Sequence, residues 1–189
     1  MAGGCVASTM RIGIISDTHG LLRPEACERL AGVDHIIHAG DIGHPEVIAG
    51  LREIAPTTAI RGNIDTDRDT GRWAAGYPHT ARLTLGGRSI HVLHNLKDLD
   101  LDPAAAGIDV VVSGHSHRPK IETVRGVLYL NPGSAGPRRF TLPIALATLD
   151  LVDDALRPRL HHLAILPGPR ASGPLMGLRR AGGPRSGKS

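Results

Sequence analysis

Three short apolar runs near the start of the chain constrain its fold more than any other feature. Arg11 to Ser16 (RIGIIS), His35 to Ala39 and Thr57 to Arg61 are each too short for a helix, and each stops abruptly, at Asp17, at Gly40-Asp41 and at Gly62-Asn63. Runs of this length, rich in Ile and closed by polar turn residues, read as strands buried on both faces. Two segments of helical spacing lie between them. Pro24 to Leu30 opens on a proline suited to a first turn and places Ala26, Leu30 and Ala31 on one face, and Pro45 to Ile54 does the same with Val47, Ile48, Leu51 and Ile54. The order strand, helix, strand, helix, strand gives parallel strands with right-handed connections. In open α/β sheets ligand sites gather at the carboxyl ends of the strands, which is where the three polar stops fall.

Further along, Ile64 to Pro78 reads as a loop over that edge. Gly86-Gly87 between Ala81–Leu85 and Ser89–Leu93, and Arg125-Gly126 between Ile121–Val124 and Val127–Leu130, mark two hairpins. Asp109 to Ser113 is another buried strand, and Ile144 to Leu151 and Arg159 to Ile165 complete the set. The later strands are expected to be antiparallel. The fold class is therefore α/β, with two packed mixed β-sheets forming a β-sandwich flanked by helices. A chain of 189 residues, 41% of them hydrophobic, suits one domain, placed at residues 10–165. Residues 1–9 are expected to be a flexible leader, with Met10 a second candidate start. Residues 166–189, a basic Gly/Pro/Arg tail, have too little to bury to offset their ordering entropy and are expected to be flexible.

The formal charge of +4 invites a nucleic-acid reading, but the charge is not spread evenly. Through Ile165 there are 17 Lys and Arg against 18 Asp and Glu; beyond it stand Arg170, Arg179, Arg180, Arg185 and Lys188 with no acid. A neutral body with only four aromatic residues (Trp73, Tyr77, Tyr129, Phe140) offers no stacking platform for single strands. Nucleic-acid contact through the tail is the weaker partner reading. Cys5 and Cys27 alone make no disulfide framework, and no signal sequence or membrane-spanning run is seen, so a cytoplasmic location without membrane contact is expected.

Five segments at strand ends carry the chemistry: Asp17-Thr18-His19, Gly40-Asp41, Gly62-Asn63, His94-Asn95 and Gly114-His115-Ser116-His117. Taken singly, an Asp after a strand is often a helix cap, and Gly-Asp or Gly-Asn is often a turn. Taken together they offer Asp17, His19, Asp41, Asn63, His94, His115 and His117. Oxygen and imidazole donors without thiolate suit Mn²⁺, Fe²⁺, Zn²⁺, Co²⁺ or Ni²⁺ and disfavour a structural zinc knot. Seven donors are too many for one ion and fit two, if one carboxylate bridges them.

The order D-x-H, GD, GN, H, GHxH resembles the calcineurin-like metallophosphoesterases, and the compact length resembles their small bacterial and archaeal phosphodiesterase branch, over roughly Met10 to Leu151. Asn131-Pro132-Gly133-Ser134 is similar to a turn of that branch and reads as a structural support for the GHSH loop. The resemblance implies Asp17, His19 and His117 on one metal, Asn63, His94 and His115 on the other, and Asp41 between them. It implies two divalent ions, Mn²⁺ first, with Ni²⁺, Zn²⁺, Fe²⁺ or Co²⁺ as alternatives, and a bridging hydroxide as nucleophile, with Asp41, His94 and His115 as the catalytic group. Two departures stand out. Asn95 follows His94 where many relatives carry glycine, and Ile64 stands in Gly62-Asn63-Ile64-Asp65 where the larger phosphatases carry a histidine.

The activity implied is metal-dependent hydrolysis of a phosphate diester, with a small phosphodiester or nucleotide as substrate. A phosphomonoesterase acting on a small metabolite is the alternative. From a different class, a non-catalytic scaffold is the third reading, because the fold resembles the retromer scaffold subunit; the seven filled ligand positions disfavour it. Oligomeric state is open, a homo-oligomer included. His35, His38, His44, His79, His91, His161 and His162 are expected at the surface or satisfied in the core, with His38 and His44 the closest in sequence to Asp41. Arg61, Arg68, Arg118, Arg138 and Arg139 are the candidates for contact with substrate phosphate.

Overall fold

The computed structural model describes residues 9–66, 72–139, 141–153 and 155–164. Arg68, residues 1–8 of the expected leader and the whole of the expected tail lie outside them, whereas Thr9 opens the first strand. That strand, β1 (Thr9–Ile15), is followed by α1 (Pro24–Leu30), β2 (His35–Ala39), α2 (Pro45–Arg52) and β3 (Thr57–Ile60). Both helices begin with proline at their first turn, as their sequences direct. The loop expected over 64–78 contains a 3-10 turn at Arg72–Gly76. Then come β4 (Thr80–Leu85), β5 (Arg88–Leu93), β6 (Val110–Val112), β7 (Lys120–Val124), β8 (Val127–Asn131), β9 (Ala145–Val152) and β10 (Ala155–His162).

Two five-stranded sheets result, one in the order β10-β9-β1-β2-β3 and the other in the order β4-β5-β6-β8-β7. In the first, β1, β2 and β3 are parallel, and β9 and β10 add antiparallel strands beside β1. In the second, the expectation of an antiparallel arrangement is corrected. Only the outer pairs, β4 with β5 and β7 with β8, are antiparallel; β5, β6 and β8 run parallel. The hairpins were legible from their glycines, but the strands in the middle are joined by crossovers. The correction matters for the site, because parallel β5 and β6 deliver His94 and His115 to the same end of the sheet.

Alternation along the strands assigns each side chain to a layer. Ile12 and Ile14 of β1, Ile37 of β2, Ile90 and Val92 of β5, Val110 and Val112 of β6, and Ala147 and Leu149 of β9 meet between the sheets, all fully buried. On the outer face of the first sheet, Ile15 and Ile36 pack with Leu30 of α1 and Val47, Ile48 and Leu51 of α2. The outer face of the second sheet has no α-helix among the described residues. Val111, Leu93 and Val127 are covered there by Leu99, Leu101 and Ala104 of an irregular segment. With two tightly packed layers behind them, the strand ends that carry the polar stops are fixed relative to one another. No helix among the described residues is long and apolar enough to cross a membrane.

Candidate metal centre

Backbone hydrogen bonds tie the loop that leaves β1 to the one that leaves β2, and the loop that leaves β5 to the one that leaves β6. Asp17 N–H donates to Gly40 O at 3.0 Å, His19 N–H to Asp41 O at 3.0 Å, and Gly114 N–H to His94 O at 2.9 Å. Backbone conformation marks these positions independently. Of the seven non-glycine residues with left-handed φ among those described, five are candidate ligands: Asp17 (54°), His19 (46°), Asp41 (55°), His115 (65°) and His117 (56°). Such a conformation costs about 1 kcal/mol or more for an L-residue and persists where the surrounding structure imposes it, often at functional sites. Two glycines explain how the loops come so close. A Cβ at Gly62 would fall on the Asp41 carboxylate and backbone nitrogen, and one at Gly114 on the Ser16 hydroxyl.

The side chains converge. His117 Nε2 lies 3.2 Å from Asp17 Oδ1 and 3.5 Å from His19 Nε2; His94 Nε2 lies 3.3 Å from Asp41 Oδ1, and His19 Nε2 lies 3.9 Å from Asp41 Oδ2. Donor atoms of Asp17, His19 and His117 lie within 4.8 Å of one another, as do those of Asp17, Asp41 and His94. Asp17 therefore belongs to both groups, and Asp41 faces an imidazole from each. Despite these short separations, Asp17 Oδ1 and His94 Nε2 are buried without a hydrogen-bond partner among the described residues. Buried donor atoms this close, left without hydrogen-bond partners, have room for a shared cation to satisfy them. The donor set and its orphaned atoms fit divalent metal ions.

Neighbouring groups orient these donors. Asp17 Oδ2 accepts from Ser16 Oγ at 2.7 Å and from His115 N–H at 3.1 Å, which leaves Oδ1 facing the centre. His94 Nδ1 lies 2.8 Å from Ala39 O and so donates to it, leaving Nε2 as the free donor atom, an arrangement typical of metal-binding histidines. Asp41 Oδ1 accepts from Ile64 N–H at 3.1 Å. Burial raises the Asp41 carboxyl, but His94, the Ile64 amide and His19 outweigh it and hold the pKa down at about 2. Burial likewise opposes charge on His94, and Asp41 outweighs it, so the imidazole is raised above its ordinary value. His19 is lowered, first by burial and further by the charge of Arg139, with Asp41 opposing.

Asn63 and His115 are exposed and stand at the rim. The His115 ring meets that of His94 edge-on with centroids 5.3 Å apart, and Asn63 lines a cleft shared with His94 and Arg61. Asn131 supports the GHSH loop, as its turn suggested: Nδ2 donates to Gly114 O at 2.6 Å, while Ser134 Oγ donates to Asp17 O at 2.9 Å.

Of the histidines set aside from the pattern, His38 is fully buried with a pKa lowered to about 4 by burial. Its Nδ1 accepts from Gly40 N–H at 3.3 Å, so the proton sits on Nε2 and goes to Thr18 Oγ1 at 2.9 Å, and Thr18 donates in turn to Ile42 O at 3.0 Å. His44 caps α2 through its ring. His79, expected at the surface or satisfied in the core, is exposed and lines the same cleft as Asn63 and His94. No motif spacing pointed to it, because it reaches the site from the far end of the loop over the sheet edge. Asp65, met in sequence only as the acid of GN-x-D, takes amides from Ile42 (2.9 Å), Gly43 (2.9 Å) and Gly62 (2.8 Å) and so is a tie between loops.

A sandwich of two mixed sheets with Asp and His donors gathered at its strand ends defines a metallophosphoesterase architecture. Residues 10–154 match the calcineurin-like phosphoesterase superfamily domain, and the chain belongs to that superfamily. It is 36% identical over 143 residues to a probable metallophosphoesterase of Methanocaldococcus jannaschii, covering 68% of this chain and 70% of that one. A solved structure described as a novel archaeal phosphodiesterase superposes with a TM-score of 0.66 at 27% identity, covering 80% of this chain and 100% of that one. Vacuolar protein sorting 29 from Cryptosporidium parvum shares the fold, with a TM-score of 0.69 at 18% identity over 82% of this chain and 92% of that one.

Proposed function

We propose that this protein hydrolyses phosphate diesters with two divalent metal ions, Mn²⁺ first among the candidates. The observation that carries the reading is the pair of buried, unpartnered donor atoms, Asp17 Oδ1 and His94 Nε2, within groups that also hold His19, Asp41 and His117. Asp17, His19 and His117 would hold one ion, Asn63, His94 and His115 the other, with Asp41 shared. The chemistry that ions held there would supply is activation of water and neutralisation of charge on the phosphate oxygens. The chain's own part is to fix the donors: the Ala39 carbonyl sets the His94 tautomer, and Ser16 and the His115 amide set the rotation of Asp17.

The diester reading is supported by what the described residues near Asp41 lack. Ile64 gives the site a backbone amide and no proton-donating side chain. Neutral His38 is locked between Gly40 and Thr18, and Asp65 is committed to three amides. A positioned general acid is worth roughly 10²–10⁴ in rate when the leaving group is a poor one. Without one, activated or cyclic diesters are favoured over alkyl monoesters. His79, in the cleft beside His94, is the residue that favours the monoesterase alternative.

Protein reconstituted with Mn²⁺ is expected to show a higher kcat/KM for bis(p-nitrophenyl) phosphate than for p-nitrophenyl phosphate, and almost none for an alkyl monoester. A clear preference for the alkyl monoester, abolished by His79→Ala, would replace the diesterase reading with the monoesterase one.

A further inference from the structure

Two clefts open on either side of the His94–Asn95 corner, and Asn95 lines both. Each also contains a candidate ligand, His115 in one and Asn63 together with His94 in the other, so a phosphate held at the centre has access to both. Their linings differ in kind.

The larger, of about 500 Å³, has the exposed Leu96 and the half-buried Tyr129 in its lining, with the buried Leu130 behind them. Leu96 is 44% exposed, one of three large hydrophobic side chains that stand out in solvent among the described residues. The charges around it are Lys97, Arg118, Lys120 and Glu122, of which Lys120 and Glu122 pair with each other at 2.5 Å. An apolar floor with cationic groups at its edge suits a flat heterocycle joined to a phosphate.

The smaller cleft, of about 260 Å³, is lined by Arg61, Asn63, Thr66, His79, Thr80 and Asp98 as well as His94, with Leu93 the apolar member. Within it Arg61 Nε is buried and has no hydrogen-bond partner among the described residues. A buried N–H left without an acceptor is costly, and a hydroxyl or oxyanion of a ligand would satisfy it. Asp98 in the same wall would accept from a hydroxyl and repel a second anion, so the lining selects an oxygen-rich, uncharged arm.

We infer that the two clefts are the seats of the two ester arms: the substrate is a diester joining a nucleoside-like group, bound over Leu96 and Tyr129, to a short polyol or sugar, bound by Arg61 and His79. This rests on the phosphodiesterase reading and names its substrate class. Arg61 and Leu96 are specificity residues in this scheme, each acting on one arm.

The test uses two phosphomonoesters that share the phosphate and differ in the arm, adenosine 5′-monophosphate and glycerol 3-phosphate, titrated calorimetrically into the Mn²⁺-loaded protein. Leu96→Asp is expected to weaken the nucleotide about tenfold more than the glycerol ester, and Arg61→Gln to do the reverse. Arg61→Lys, which keeps the charge but lacks the Nε donor, is expected to repeat the pattern of Arg61→Gln more mildly and guards against a folding defect. Equal weakening of both ligands by both variants, or no weakening by either, overturns the assignment while leaving hydrolysis of bis(p-nitrophenyl) phosphate by the unaltered protein intact. Absence of that hydrolysis overturns the phosphodiesterase reading itself, and this inference with it.

Discussion

The buried and exposed halves of the candidate centre are built by different means. Asp17, Asp41, His94 and His117 are buried, between 0% and 8% exposed, and neighbouring groups fix the rotation of Asp17 and the tautomer of His94. Asn63 and His115 are exposed, with a ring contact and a cleft wall in place of such ties. The first half is set by the packing of the two sheets and is complete when the chain has folded. The second half lies where the clefts open: its backbone is tied to the first, and its exposed side chains are the part that a ligand can adjust.

The largest effect expected from this contrast is at Asp41. Asp41→Asn removes a charge that faces an imidazole from each group, and it should lower kcat/KM on an aryl diester by at least about 10³, some 4 kcal/mol of barrier. Retention of a tenth of the activity would show that Asp41 is not shared between ions.

Next comes Gly62→Ala, which replaces no candidate ligand. Its Cβ would collide with the Asp41 carboxylate and backbone, so the buried half should lose stability as well as activity, by about 1–3 kcal/mol in urea unfolding. Unchanged stability would mean that the loops yield more easily than their hydrogen bonds suggest.

His115→Ala probes the exposed half. Affinity for one of two Mn²⁺ equivalents should fall about 10–100-fold, while stability of the metal-free protein changes by less than about 0.5 kcal/mol. Loss of both equivalents together would erase the distinction between the halves.

The smallest effect is at Arg11, far from the site, whose guanidinium meets Asp150 at 2.6 and 3.1 Å and holds that carboxyl below its ordinary range. A carboxyl lowered in the folded state contributes stability above its unfolded pKa and loses it as pH falls through the folded value. Arg11→Ala should therefore cost at most about 1 kcal/mol at neutral pH, a cost that disappears on acidification, with diester hydrolysis unaffected.

Sequence made most elements legible because their signals are local. Pro24 to Leu30 and His35 to Ala39 are bounded as their residues suggest, and α2 stops at Arg52, short of Ile54, where the chain turns toward β3. The last strand runs from Ala155 to His162, earlier than Arg159 to Ile165, and Ile165 lies outside the described residues. The parallel pairing of β5, β6 and β8 was not legible, since parallel neighbours need a crossover and residues 94–109 cross over without the helical periodicity that announces one. The candidate donors were legible from residue type and order. Their left-handed backbone was not, because Asp and His carry no such signature, and neither was His79, which a loop brings into the cleft from outside every motif.

Asp65 has a consequence that reaches beyond its own position. One carboxylate receives amides from the loop after β2 and the loop after β3, so the segments bearing Asp41 and Asn63 travel as a single part. Thermal motion that moved one loop alone would have to break charge-assisted hydrogen bonds, each about twice as strong as a neutral one. The entropy of aligning those two segments is thus spent during folding, not at the arrival of a cation. An ion of the wrong radius would meet a frame that resists adjusting to it, so discrimination among divalent ions would in part be a mechanical property of this clamp.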